Sequence, residues 1–130
     1  MGEIAEAIQE ALIEGQLPCA MAFVIAEQLG IAPLLVGQEA DALGIRLSKC
    51  QLGLFGYGPK SEGRHRRVQP MQDVPCELMQ AIREAATGDG KLSCAAAWRV
   101  ADELRVPRQQ VSDAAEGLGV RLKECQLGAF

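Results

Sequence analysis

Aromatic residues make up only 4% of the 130-residue chain, with one Trp, one Tyr and three Phe. Any core must therefore be built from Ala, Leu, Ile and Val, which the overall hydrophobic content of 48% allows. There is a single histidine, His65, and no phosphate loop, dinucleotide fingerprint or pair of carboxylates at catalytic spacing. A Cys–His nucleophile would need His65 to reach a thiol from a polar linker, and the sequence places no thiol beside it. The expectation is a protein that is not an enzyme and carries no cofactor. No apolar run approaches the roughly 20 residues a membrane-crossing helix requires. The start, Met1-Gly2-Glu3-Ile4-Ala5-Glu6, lacks the basic and apolar regions of a secretory signal. Five cysteines form an odd set, which argues against a disulfide framework. Together these absences point to a cytoplasmic protein. Positive charge is also scarce: the net charge is −4, so no global attraction draws the chain to nucleic acid or to an anionic surface.

What the chain does have is an internal repeat. Leu17 to Phe55 lies over Leu92 to Phe130 at a fixed offset of 75 residues without a gap. Identical pairs include Cys19/Cys94, Ala26/Ala101, Leu29/Leu104, Val36/Val111, Ala40/Ala115, Gly44/Gly119 and Arg46/Arg121. The stretch Cys50-Gln51-Leu52-Gly53 recurs whole as Cys125-Gln126-Leu127-Gly128.

Each copy predicts the same elements. Ile4, Ile8, Ala11 and Leu12, and then Leu78, Met79, Ile82 and Ala86, have the spacing of a first helix ended by Gly15 or Gly90. A short extended piece follows around Leu17 or Leu92. A second helix opens at Pro18 or Ser93, Pro being tolerated in a first turn and Ser being a good cap. Its buried stripe is expected to be Cys19, Ala22, Phe23, Ala26 and Leu29, matched by Cys94, Ala97, Trp98, Ala101 and Leu104. The third helix starts near Pro33 or Pro107 and turns Val36, Ala40 and Leu43 (Val111, Ala115 and Leu118) inward. Two β-prone pieces, Ile45–Leu47 and Gln51–Phe55, are expected to form a short hairpin.

This order, with Ala26-Glu27-Gln28-Leu29-Gly30-Ile31 followed by Val36 and Leu43-Gly44-Ile45, resembles the winged helix-turn-helix superfamily. So does Ala101 to Val106 with Val111 and Leu118-Gly119-Val120. The resemblance covers nearly all of both copies but rests on packing positions. It implies a mainly α fold with short β-hairpins. The expected organisation is one module over residues 1–55, a basic Gly/Pro-containing linker over 56–75, and a second module over 76–130.

The resemblance also implies that a third helix could read a DNA major groove from its outward, N-terminal residues. In the second copy that region offers Arg108, Gln109, Gln110, Ser112 and Asp113, with Arg105 in the preceding turn. Arg pairs with guanine and Gln with adenine. Arg121 and Lys123 could reach phosphates. The first copy offers Pro33, Leu34 and Leu35 instead, and adjacent leucines point to a homodimer or protein partner. Net charge is −5 over residues 1–55, +3 over 56–70 and −2 over 71–130. Lys60, Arg64, Arg66 and Arg67 carry the positive segment, and read either as a phosphate-tracking arm or as a solvated linker. Cys19, Cys50, Cys94 and Cys125 repeat symmetrically, but without a CxxC pair and with Cys19 and Cys94 on apolar stripes they read as packing residues, not as a metal site.

The expectation is a transcription regulator that binds duplex DNA chiefly through the second module, aided by the basic linker. The alternatives are a protein-binding adaptor like the two-module chromosome segregation-and-condensation partners, and an RNA-binding pair like that ending the selenocysteine-specific elongation factor.

Overall fold

A computed structural model describes residues 2–58 and 65–130. The described residues are mainly helical, with a few short strands. The order is α1 (Gly2–Ala11), β1 (Leu17–Pro18), α2 (Cys19–Leu29), α3 (Pro33–Ala42) and β2 (Leu47–Ser48), then α4 (Cys76–Ala85), β3 (Lys91–Ser93), α5 (Cys94–Leu104), α6 (Arg108–Leu118) and β4 (Arg121–Lys123). Among the described residues no single helix is long and apolar enough to cross a membrane.

The chain divides into two compact units. The first holds residues up to Gln51, Phe55–Arg66 and, from the far end of the chain, Gln126–Ala129. The second holds Arg67–Cys125, Phe130 and the three residues Leu52–Leu54. Each unit thus includes the Leu-Gly tip of one of the two repeated Cys-Gln-Leu-Gly motifs.

In the first unit, Ile8, Leu17, Cys19, Ala22, Ile25, Ala26, Val36 and Ala40 are buried. Leu127 is buried as well, its backbone lying against Gly37 so closely that a methyl there would overlap the Leu127 carbonyl. Helix α2 ends where Gly30 enters the left-handed region (φ 65°) and the amide of Ile31 donates to the carbonyl of Ala26 at 2.9 Å, a Schellman-type closure. Only three residues separate α2 from α3, and the two helices bend by 116°. Pro33 opens α3 with the φ a first turn requires.

In the second unit, Ser93 caps α5 by accepting the Ala96 amide at 3.1 Å. Arg105 takes the position of Gly30 with φ 57°, and the Val106 amide reaches the Ala101 carbonyl at 3.0 Å. Helix α5 packs on α4 and α6 around buried Ala97, Val100, Ala101, Val111, Ala114 and Ala115, with Leu52 fully buried in the same unit. The expected stripes are right at their small residues and overstated at their ends. Phe23, Leu29, Trp98, Leu104 and Leu118 are only partly buried, and Leu43 is exposed.

The expected hairpin does not form. β2 pairs parallel with β1, Leu17 opposite Leu47, and β4 pairs parallel with β3, Leu92 opposite Leu122. The two helices between the strands act as the crossover that a parallel pair needs. Residues 50–55 close a tight turn instead, with the Cys50 amide donating to the Phe55 carbonyl at 3.2 Å. Cys125 repeats this bond to Phe130 at 3.0 Å. Lys49 (φ 48°) and Glu124 (φ 50°), each just before the Cys, leave the extended region and stop the strand.

Candidate nucleic-acid interface

The residues expected to read bases stand at the start of α6. The Arg108 guanidinium lies over the Trp98 ring, 3.6 Å from the centroid, with Nη2 3.9 Å from Asp102 Oδ1. Gln109 Nε2 donates to the Arg67 carbonyl at 3.2 Å, and its side chain fills the space a Cβ on Gly53 would need. Gln110 is half-buried. Ser112 is buried, and its hydroxyl has no hydrogen-bond partner among the described residues. Its expected role at a DNA surface is therefore a correction: position 112 faces the interior of the second unit, as its counterpart Gly37 does in the first.

The basic side chains differ in their setting. Lys123 is tied down. Its Nζ lies 3.1 Å from Asp89 Oδ2, 2.9 Å from Thr87 Oγ1 and 3.5 Å from Glu124 Oε1. The hydrogen bond from Thr87, then that from Lys123, hold the Asp89 carboxyl at about 2, and the same contact raises Lys123 above its ordinary value. This cluster staples the Thr87–Lys91 turn to β4, which gives Lys123 a structural role. Arg105 at the α5–α6 turn, Arg121 on β4, and Arg66 and Arg67 before α4 are exposed. Lys60 and Arg64 lie outside the described residues. His65 is more than a linker residue: its Nδ1 accepts the Gly56 amide at 3.4 Å and its ring meets Phe55.

Residues 67–71, of which the sequence singled out only Arg67, run along α6. The amides of Arg67 and Val68 donate to the Gly53 carbonyl at 2.8 and 3.2 Å. The Gln69 amide donates to Asp113 Oδ1 at 3.1 Å, and the Met71 amide to the Asp113 carbonyl at 3.0 Å. Gly117 lies so close to the Met71 backbone that a methyl on it would overlap the Met71 carbonyl. Gln109, Asp113 and Gly117 follow one another at i, i+4 and i+8, so residues 67–71 cover a single face of the helix. The readable signal was Gly117 itself, a glycine inside a helix where the first copy has Ala42. Glycine there costs helix stability and marks a close backbone approach.

The corresponding face of α3 is open. Leu34, Gln38 and Ala42 are exposed, and Leu34 and Leu35 remain 44% and 46% accessible, with Leu34 Cδ1 close to Gly128. All five cysteines are thiols; Cys19, Cys50 and Cys94 are buried, Cys125 is half-buried and Cys76 is exposed. Among the described residues no three His, Cys, Asp or Glu side chains converge as metal ligands.

No family model, no curated protein and no solved structure matches the chain.

Proposed function

We propose that the chain is a DNA-binding regulator, without enzymatic activity, built from a tandem duplication of a winged helix-turn-helix module whose wing is reduced to a parallel ladder. The observation that carries this reading is the 116° bend between α2 and α3 across a three-residue turn capped by left-handed Gly30. Helix-turn-helix pairs have this crossing and this type of turn. The second unit keeps the turn length and the left-handed cap, in Arg105. Its third helix, α6, carries Arg108, Gln109 and Gln110, the types that pair with guanine and adenine edges. Exposed Arg66, Arg67, Arg105 and Arg121 supply phosphate contacts, which position a protein on a duplex without reading sequence. With a net charge of −4, affinity must come from this local placement and fall steeply with salt. The test is a titration of random-sequence duplex DNA at low and moderate salt, where measurable affinity at low salt is expected.

A second reading has its own observation. Leu34 and Leu35, side by side at the start of α3, are nearly half exposed in a segment of net charge −5. That apolar pair favours a protein-binding role for the first unit, as a homodimer contact or an adaptor surface.

A further inference from the structure

We infer that residues 67–71 are an autoinhibitory strap, lying on the face of α6 that would enter a DNA major groove and competing with the duplex for it. The inference rests on the DNA-binding reading above and adds a regulatory step to it. A recognition helix reads bases from its outward face. In α6 that face is the line of Gln109, Asp113 and Gly117. The strap engages all three, through the Arg67 carbonyl, the Gln69 and Met71 amides, and the Met71 backbone against Gly117.

The matching helix of the first unit stands without such a cover. The same line on α3, Leu34, Gln38 and Ala42, is exposed, and α3 is framed by equivalent core residues. The line of α6 that presents Gln109 is therefore closed, while the apolar line of α3 is left open. The strap holds α6 through its own backbone groups, so closing it hides Gln109 by hydrogen bonds that do not depend on the side chains of residues 67–71. Opening it would release Gln109 and let Arg66 and Arg67 move as a short phosphate-contacting arm.

Gly117→Ala separates the possibilities. It adds no charge, replaces the poorest helix former but proline with the best, and leaves no room for the Met71 carbonyl. Two quantities are measured on the full chain: exchange of the Met71 amide, and affinity for a random-sequence duplex at low salt. The expected result is faster Met71 exchange together with binding at least about fivefold tighter than wild type, since apparent affinity scales with the open fraction. Faster exchange with unchanged or weaker binding, while wild type binds, would overturn the strap and leave DNA binding to another surface. Unchanged exchange would also overturn it, because the packing described would not be holding the segment. If neither protein binds, the DNA-binding reading fails and takes the strap with it. Should Gly117→Ala not fold, Gln69→Pro removes the amide donated to Asp113 from the loop side, and the same outcomes apply.

Discussion

The guanidinium of Arg108 stacks on the indole of Trp98, 3.6 Å from its centroid. This pairing spans α5 and α6 and uses two residues that the first copy replaces with Phe23 and Pro33. Arg108→Ala is expected to lower the unfolding free energy by about 0.5–1 kcal/mol, the size of a partly exposed cation–π contact. Urea denaturation measures it. An unchanged midpoint would mean that the stacking contributes nothing and that Arg108 is available to a ligand at no cost to the fold.

Arg105 holds a left-handed cap that Gly30 holds in the first copy. A side chain in that conformation costs about 1–2 kcal/mol, which glycine avoids. Part of this gain is offset by the greater freedom of glycine in the unfolded chain. Arg105→Gly is therefore expected to stabilise the second unit by about 0.5–1 kcal/mol while removing one candidate phosphate contact. A lower melting temperature would show that the Arg105 side chain makes a contact that outweighs the backbone strain.

Asp89 gives a pH signature. Its folded-state value is about 2 against an ordinary 3.8, so its contribution to stability is present in full above about pH 4 and is lost as the pH falls through 2. Asp89→Asn should therefore be less stable than wild type at neutral pH, and the gap should close only in strong acid. Parallel acid titrations of the two proteins check this. A gap that closes already near pH 4 would mean that Asp89 is not held by Thr87 and Lys123.

Leu34→Asp with Leu35→Asp is expected to lower the unfolding free energy by about 1.5–3 kcal/mol in total, because each side chain is a little more than half covered. If the first unit self-associates, the same change should shift sedimentation from dimer to monomer. A dimer that survives the double substitution would remove these leucines from the interface.

Much of the backbone was legible in the sequence because the two copies check each other. Gly30 and Gly44 against Arg105 and Gly119 located the helix ends, and Pro18 and Ser93 located the start of the second helix. The hairpin failed because alternation in Ile45–Leu47 says nothing about which strand will be the partner. The partner is Leu17, 30 residues back at the pairing Leu17↔Leu47. Gln51–Phe55 looked like a strand, but it belongs to a turn whose leucine is buried, Leu52 in one unit and its repeat Leu127 in the other. At the candidate site, the sequence named residue types but not what their side chains are engaged with. Ser112 is interior, Lys123 is stapled to Asp89, and Gln109 is bonded to Arg67. None of these partners is near in sequence, so no local pattern announces them.

The DNA-binding reading requires that this acidic chain hold duplex DNA through locally placed arginines and α6. Affinity for random-sequence duplex as a function of salt tests it, for wild type and for Arg66→Ala with Arg67→Ala. Wild type is expected to bind at low salt and to weaken steeply as salt rises. The double variant should bind more weakly, with a log–log slope shallower by about 0.9 for each phosphate that it no longer neutralises. No binding by wild type at low salt, or identical slopes for the two proteins, would contradict that reading.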